Sequence, residues 1–106
     1  KRFPEAYKLY EKALSIMEKH DDGLLEVAIT YLNIASAKEA ELGLEDAESI
    51  IEEHLYKAMK ILDEHENRDG YYAFVCDKCA SVFGYYGFFA YQNDLTKRAR
   101  EIYERS

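Results

Sequence analysis

The sequence is poor in the residues that make turns. Its 106 residues include one proline, five glycines and no tryptophan. A sheet domain of this length needs many more turn residues, so the scarcity argues against a β fold. The lone proline, Pro4, stands at the start of the first predicted helix, where a helix tolerates it. Abundant Ala, Leu, Glu and Lys favour an all-α fold. The length fits one domain with a single core.

Positive charge is also scarce. The chain has 14 Lys and Arg against 21 Asp and Glu, a formal net charge of −7, which disfavours a general nucleic-acid surface. Ten acids and two lysines lie between Glu39 and Glu66, whereas Lys97–Arg100 is locally basic. We expect these charges to lie on solvated helix faces. An acidic docking surface in the first region is the open alternative.

Two cysteines are too few for a disulfide framework, and no signal peptide is recognisable. We therefore expect a cytoplasmic protein. The sequence starts at Lys1 without an initiator methionine and stops at Ser106 within a helical pattern. From this we expect a piece of a longer protein.

Cys76-Asp77-Lys78-Cys79 is the one motif with chemical precedent. Zinc needs about four ligands, and a redox CxxC usually opens a helix that follows a strand. This pair lies inside a predicted helix, without a second pair. Cysteines three apart share a helix face and commonly act as small buried apolar groups. We expect that role here, with no bound metal or cofactor.

Nine of the fifteen aromatic residues fall between Tyr71 and Tyr91. This stretch has the length of a membrane span, but it contains Asp77 and Lys78 and few aliphatic residues. Internal charge is costly in lipid and tyrosine prefers the interface, so we expect no membrane contact. The sequence also lacks a glycine-rich phosphate loop and a nucleophile elbow. We therefore expect no enzyme activity.

Apolar periodicity predicts about five helices joined by short turns, and short turns make neighbouring helices antiparallel. Gly43 is placed to end the second helix, and Gln92-Asn93-Asp94 the fourth. The predicted ranges are Arg2–His20, Leu24–Leu42, Glu45–His65, Tyr71–Tyr91 and Leu95–Ser106.

An internal repeat favours stacked helix pairs over a closed bundle. Similar patterns surround Ala6, Ala47 and Ala99, which are 41 and 52 positions apart. Such spacing is typical of a helix pair as the repeating unit, with neighbouring units burying each other's faces. A plain helical bundle remains the alternative.

The sequence resembles the tetratricopeptide repeat family. Members place a small residue of the first helix twelve positions before a small residue of the second, as do Ala35 with Ala47 and Gly87 with Ala99. The stretch Ala28-x-x-Tyr31-Leu32-Asn33-Ile34-Ala35, followed by Gly43-Leu44-Glu45-Asp46-Ala47, is similar to the long repeats of kinesin-light-chain-type members. The chain departs from the pattern in units longer than the usual 34 residues. It also has His54 in place of a small residue and Lys38 in place of an aromatic one.

The resemblance implies a single domain over residues 1–106. Its helical hairpins would stack as a right-handed superhelix with a half repeat at 1–20 and full repeats at 24–65 and 71–106. It also implies a scaffold that binds a protein or peptide on the concave face, lined by the first helix of each pair. The predicted binding residues are Ile29, Leu32, Asn33, Ser36, Glu39, Tyr85, Phe88 and Tyr91, with Gly84 beside them.

The Asn33 amide can both donate to and accept from the backbone of an extended peptide. The three aromatic side chains would form a contact wall opposite an inward row at Phe83 and Tyr86, with Gly87 at the crossing point against Ala99. The alternatives are a solvated Asn33 and rings that pack on a following repeat. Two further functions stay open: a peptide-sensing regulatory domain of a larger protein, and a self-association module forming a homo-oligomer.

Overall fold

A computed structural model of the chain describes residues 3–17 and 23–105. Within these ranges the fold is all-α with five helices, which confirms the predicted class and the number of helices. The predicted helix ends at Arg2, His20 and Ser106 lie outside the described residues. The helices are α1 (Phe3–Met17), α2 (Gly23–Leu42), α3 (Leu44–Glu64), α4 (Gly70–Tyr85) and α5 (Phe89–Arg105).

The chain forms two compact units, Lys1–Asp63 with α1 to α3 and Glu64–Ser106 with α4 and α5. In the first unit, the Tyr7 hydroxyl of α1 donates to Glu41 Oε1 of α2 at 2.9 Å. Lys38 of α2 places its Nζ 3.9 Å from the centre of the Tyr7 ring. Between α2 and α3, the rings of Tyr31 and His54 meet edge to face at 5.8 Å.

A single residue, Gly43, separates α2 from α3. Its φ of +85° lies in the left-handed region, where side chains other than glycine are strained. Its N–H donates to the Glu39 carbonyl at 2.8 Å, and its own carbonyl accepts from Ala47 at 3.0 Å. The prediction that Gly43 ends the second helix is confirmed, and its conformation supplies the physical reason.

In the second unit, Asp69 caps α4 by accepting from the Tyr72 N–H at 3.0 Å. α4 then ends at Tyr85, six residues before the predicted end at Tyr91. Gly87 has φ +87° in the turn, and the Phe88 N–H bonds to the Phe83 carbonyl at 2.8 Å.

The predicted single helix from 71 to 91 was therefore wrong. Gln92-Asn93-Asp94, expected to end that helix, lies inside α5 instead. Gly87 was expected at a helix crossing, but a Cβ added there would meet nothing within 4 Å. The close approach belongs to Gly84, where an added Cβ would overlap the side-chain amide of Gln92. The Gln92 amide of α5 therefore occupies the space that a side chain at position 84 would fill.

The two helical hairpins repeat one burial pattern. The pattern of α2 recurs in α4 at an offset of 45 residues, and that of α3 recurs in α5 at an offset of 44. The turn glycines Gly43 and Gly87 are also 44 apart and nearly equal in φ. The buried positions that match are 27, 28, 30, 34 and 35 in α2, 72, 73, 75, 79 and 80 in α4, 51, 55 and 58 in α3, and 95, 99 and 102 in α5. Buried Leu25 and Leu32 of α2 and buried Cys76 and Phe83 of α4 have no buried counterpart at this offset.

This pattern corrects the pairing of Ala47 with Ala99. Ala47 is the fourth residue of α3, whereas Ala99 is the eleventh of α5 and corresponds to Leu55. The repeating unit is therefore 44 to 45 residues long. The alanine match was misleading because a small residue can occupy any tightly packed helix position, at the start of a helix or in its middle.

Candidate interaction site

One face of α4 is exposed along its whole length and carries three aromatic side chains. At 100° per residue, the positions of this face fall within an arc of about 80°. Tyr71 is 39% exposed, Phe74 53% and Tyr85 69%, unusually high for residues of this size. The face, called here the α4 face, consists of Tyr71, Phe74, Lys78, Ser81 and Tyr85.

The rings of the α4 face are held by their neighbours. Tyr71 and Phe74 stack at a centroid distance of 6.4 Å and an interplanar angle of 22°. Lys78 Nζ lies 6.0 Å from the centre of the Phe74 ring, and Tyr85 meets Tyr86 edge to face at 4.9 Å. The face spans fourteen residue steps, about 21 Å along the helix. It therefore offers an elongated aromatic surface with one cation at its centre.

The corresponding face of α2 is small and polar. At the offset of 45, Phe74, Lys78 and Ser81 of α4 correspond to Ile29, Asn33 and Ser36. These α2 residues were predicted binding residues. Asn33 and Ser36 are exposed, while Ile29 is half-buried, as is the fourth candidate, Glu39.

Leu32 does not belong to this face. It is 3% exposed and is part of the core, so its prediction as a binding residue was wrong. The physical reason is helical geometry: one residue step turns the side chain by 100° away from Asn33 and toward the side of buried Ala28 and Ala35.

The three residues of the predicted aromatic wall do not lie on one face. Tyr85 is exposed at the end of α4, but Phe88 lies in the turn and Tyr91 in α5, both half-buried. Each packs on fully buried Phe83, at ring-centroid distances of 6.0 and 4.8 Å. The inward position predicted for Phe83 is confirmed. Phe88 and Tyr91 support the core of the second unit instead of forming a row with Tyr85.

Sequence reasoning missed most of the α4 face. Tyr71, Phe74, Lys78 and Ser81 were not among the predicted binding residues. Their signal is the 3-4-3-4 spacing of positions 71, 74, 78, 81 and 85, opposite the helix side that carries the two cysteines. With the cysteines taken as buried, a helical projection starting at Tyr71 would have placed these residues outside.

Both cysteines are buried and free of disulfide bonds, as predicted. Burial raises the pKa of the Cys76 thiol to about 11 and that of Cys79 to about 12. The thiolate is the reactive form, so neither side chain is an activated nucleophile at neutral pH. Among the described residues, no group of three or more His, Cys, Asp or Glu side chains is arranged to hold a metal ion.

Tyr72 is the anchor of the second unit. Its fully buried ring stacks on His65 at 5.7 Å, and the Arg68 guanidinium lies 5.1 Å from the ring centre. Its hydroxyl accepts from Arg98 Nη1 at 3.0 Å, while Arg98 Nη2 pairs with Asp94 at 2.6 Å. Burial raises the pKa of Tyr72 to about 12, against the opposing effect of Arg98. The cluster joins α4 to α5 and exposes none of the Tyr72 ring.

The acidic residues of α3 lie on its exposed side, as expected. Glu45, Glu48 and Glu52 are all exposed and line a shallow depression on the helix surface. The ion pair between Lys57 and Glu53, at 3.4 Å, is similarly exposed. Such solvated pairs contribute little to stability.

In the described parts of the chain, no helix is both long enough and apolar enough to cross a membrane. The chain matches no protein-family model, and neither the curated proteins nor the solved structures gave a significant match. The resemblance to tetratricopeptide repeats therefore stays a prediction, which rests on the residues quoted above.

Proposed function

We propose that this protein is a non-catalytic, cytoplasmic module that binds a protein or peptide partner through exposed faces of its helices. The α4 face carries the proposal. It presents three large aromatic side chains to solvent on one side of one helix. Single exposed rings scattered over a surface are ordinary, whereas a group of them on one face is typical of an interaction site. The tetratricopeptide resemblance favours the same function.

The chemistry of the α4 face suits protein recognition. Tyrosine and phenylalanine give large contact areas and lose little conformational entropy when bound, and aromatic residues are enriched among interface hot spots. The stacking of Tyr71 on Phe74 limits the motion of both rings before any partner arrives. Lys78 lies between the Tyr71–Phe74 pair and Tyr85. Its ammonium group therefore favours a partner whose contact segment has a carboxylate near the middle.

The α2 face would contribute a different kind of contact. Asn33 carries one amide donor group and one acceptor oxygen, the complement of a peptide backbone. Ser36 beside it is small and exposed, which leaves room for a close approach, and Ile29 adds a half-buried apolar edge. Glu39 supports this face from a half-buried position. We propose that it recognises backbone, whereas the α4 face recognises apolar side chains.

The side chains with nucleophilic potential support a non-catalytic role. Both thiols have pKa values raised by burial, and the Tyr72 hydroxyl is engaged by Arg98 inside the unit. These side chains pack the core of the second unit. The free, buried cysteines also suit a reducing cytoplasm.

Peptide selection tests the proposal. A displayed library of random peptides is selected against the immobilised wild-type protein, and the recovered peptides are titrated against variants. We expect Phe74→Ala combined with Tyr85→Ala to weaken binding by about tenfold or more. The matched control is Tyr56→Ala combined with Tyr103→Ala, which removes two similarly exposed rings elsewhere. Equal affinities for the two double variants would refute the role of the α4 face.

A further inference from the structure

We infer that Cys76 and Cys79 make the second unit sensitive to oxidation. When α4 separates from α5, the two thiols form a disulfide with each other, and this bond then prevents α4 from re-forming as a helix. The inference goes beyond the proposed function, which gives the cysteines a packing role alone. Its consequence for partner binding rests on the proposed function, because the α4 face exists only while α4 is helical.

The two cysteines, called here the thiol pair, lie on one side of α4 at its centre. Six residues of the helix precede Cys76 and six follow Cys79. Residues three apart are neighbours on a helix surface. Burial is the first cause of the raised pKa of Cys79 and the Cys76 thiol is the next, in keeping with two sulfur atoms that lie near each other. Both cysteines are free of disulfide bonds.

A regular helix nevertheless holds the thiol pair too far apart for a disulfide. The Cα atoms of residues three apart are separated by about 5 Å, within the range of about 4.4 to 6.8 Å found across disulfides. Their Cβ atoms are about 5 to 6 Å apart, whereas a disulfide requires about 3.5 to 4.5 Å. Closing the bond therefore needs a change in the backbone dihedral angles. Fraying at a helix end does not supply this change at the centre of α4.

Packing keeps an oxidant away from the thiol pair while the unit is folded. Cys76 is 0% exposed and Cys79 is 1% exposed. They share the buried side of α4 with Tyr72 and Phe83, and α5 packs against α4. Burial also raises the pKa values of both thiols, whereas the thiolate is the form that attacks a disulfide. Oxidation therefore begins after α4 separates from α5.

Folding of the second unit and oxidation of the thiol pair oppose each other. The reduced pair fits the helix, and the disulfide fits only the opened chain. The free energy of separating α4 from α5 therefore adds to the cost of oxidation, and it makes this disulfide easier to reduce than one that fits its fold. Two helices bury a small core, so the opening is within reach of ordinary fluctuations. The thiol pair thus responds when oxidant becomes abundant.

The oxidant in this inference is a small disulfide such as oxidised glutathione. The thiolate of one cysteine attacks a sulfur of the oxidant, which forms a mixed disulfide and releases one small thiolate. The thiolate of the other cysteine then attacks the protein sulfur of the mixed disulfide. This second step forms the bond between Cys76 and Cys79 and releases the second small thiolate. The two released thiolates take up the two protons, so the thiol pair loses two electrons and one small disulfide is reduced.

Oxidation in glutathione buffers tests the inference on the whole protein. Intact mass measures the fraction of chains that have lost two hydrogens, and circular dichroism measures the helical signal. We expect the internal disulfide to form as the helical signal falls, and dithiothreitol to reverse both changes. Because α4 supplies 16 of the 89 helical residues described, the expected loss is about a sixth of the signal or more. The control, Cys76→Ala combined with Cys79→Ala, is expected to keep its signal in every buffer.

A displaced pair of thiols tests the need for opening. In the background of Cys76→Ala and Cys79→Ala, Lys78→Cys and Ser81→Cys introduce two thiols with the same spacing on the exposed side of α4. We expect the native thiol pair to react with oxidised glutathione about a hundredfold more slowly than this displaced pair. Urea below the unfolding midpoint is expected to accelerate the native pair at least about tenfold and the displaced pair less than about twofold.

Destabilising the second unit is expected to lower the amount of oxidant needed. Phe83→Ala removes a fully buried ring of α4. At a fixed concentration of reduced glutathione, we expect its midpoint concentration of oxidised glutathione to fall about a hundredfold below the wild-type value. Lys97→Ala changes an exposed side chain of α5, and its midpoint is expected to stay within about twofold of the wild type.

An internal disulfide that forms without loss of helical signal would overturn the inference, because α4 would then tolerate the bond. So would a thiol pair that reacts as fast as the displaced pair, or one that forms no internal disulfide in any buffer. Binding of a selected peptide separates this inference from the proposed function. If binding survives after oxidation has removed the helical signal of α4, the role of the α4 face fails and the inference about the thiol pair stands.

Discussion

The hairpins α2–α3 and α4–α5 share a backbone pattern but expose different surfaces. They share eight buried relative positions, and both turn at a glycine, with φ +85° at Gly43 and +87° at Gly87. The exposed face of the first helix is small and polar at Asn33 and Ser36, whereas the α4 face is aromatic. Buried positions and turn glycines thus maintain the fold, and the exposed positions are available to differ in binding chemistry.

The turns themselves differ in length. Gly43 alone connects α2 to α3, while three residues, Tyr86 to Phe88, connect α4 to α5. The longer turn brings Phe88 back onto Phe83, so the second hairpin has an aromatic cluster where the first has the half-exposed Lys38.

The largest effect is expected at Phe83. Phe83→Ala removes a fully buried ring that contacts Phe88 and Tyr91, so we expect a loss of about 3 to 5 kcal/mol in the free energy of unfolding. Lys38→Ala, the matched change at the offset of 45, is expected to cost less than about 1 kcal/mol. Urea unfolding followed by circular dichroism measures both. Similar losses at the two positions would show that the hairpins are stabilised alike.

The second prediction concerns alkaline pH. Because burial raises the pKa of Cys76 to about 11 and of Cys79 to about 12, both thiols stay protonated in the folded state after they ionise in the unfolded one. Their contribution is fully present below about pH 9 and is lost as pH rises through 11 to 12. Cys79→Ala is expected to reduce this loss by about 3 kcal/mol at pH 11.5.

The measurement is the free energy of unfolding at several pH values between about 8 and 11.5. The matched control is Ile34→Val, at the corresponding buried position of α2, which changes stability without adding or removing a titrating group. Its pH dependence is expected to parallel that of the wild type. A Cys79→Ala slope equal to the wild-type slope would exclude a contribution from this thiol.

Binding provides the third comparison. For a peptide selected on the wild-type protein, Phe74→Ala is expected to raise Kd about tenfold because it removes the central ring of the α4 face. Ile29→Ala, at the matched position of α2, is expected to raise Kd less than about threefold because Ile29 is already half-buried. Isothermal titration calorimetry gives both values, and the reverse order would assign recognition to α2.

The smallest effect is expected at the turns. Gly43→Ala and Gly87→Ala each force a Cβ into the left-handed region, at a cost of about 1 kcal/mol. The space around both glycines is open, so no steric clash adds to this cost. We expect the two losses, measured by thermal unfolding, to agree within about 0.5 kcal/mol. A large difference would mean that the two turns are not equivalent despite their equal φ angles.

Helix number and class could be predicted because α1, α3 and α5 each have one clearly apolar side, and because Gly43 separates the second and third helices. The end of α4 could not be predicted, because aromatic residues continue on both sides of Gly87 without a polar break. A glycine within such a run fits a helix interior and a turn equally well. This turn is closed by a backbone hydrogen bond from the Phe88 N–H to the Phe83 carbonyl. The pattern of side chains in the sequence does not reveal such a bond.

Exposure at single positions was harder to predict. Asn33, Ser36 and Tyr85 are exposed where the predicted site requires it, but neighbouring Leu32 is not. The sequence prediction assigned the aromatic rings of α4 to core or surface without using the buried side of the helix, which Tyr72 and Cys79 define. Hydrophobic residues are ordinarily expected inside, so an exposed ring such as that of Phe74 is recognised once the packing around it is known.

The rate at which the buried Tyr72 hydroxyl ionises can report how often the second unit opens. The chain has ten tyrosines and no tryptophan, so its near-ultraviolet absorbance comes mainly from tyrosine. After a rapid jump to strongly alkaline pH, phenols at the surface ionise at once. The ring of Tyr72, with a pKa of about 12 and no exposed area, ionises when α4 and α5 separate. A slow phase in tyrosinate absorbance, smaller in Tyr72→Phe, would therefore report the opening rate of that unit without any introduced label.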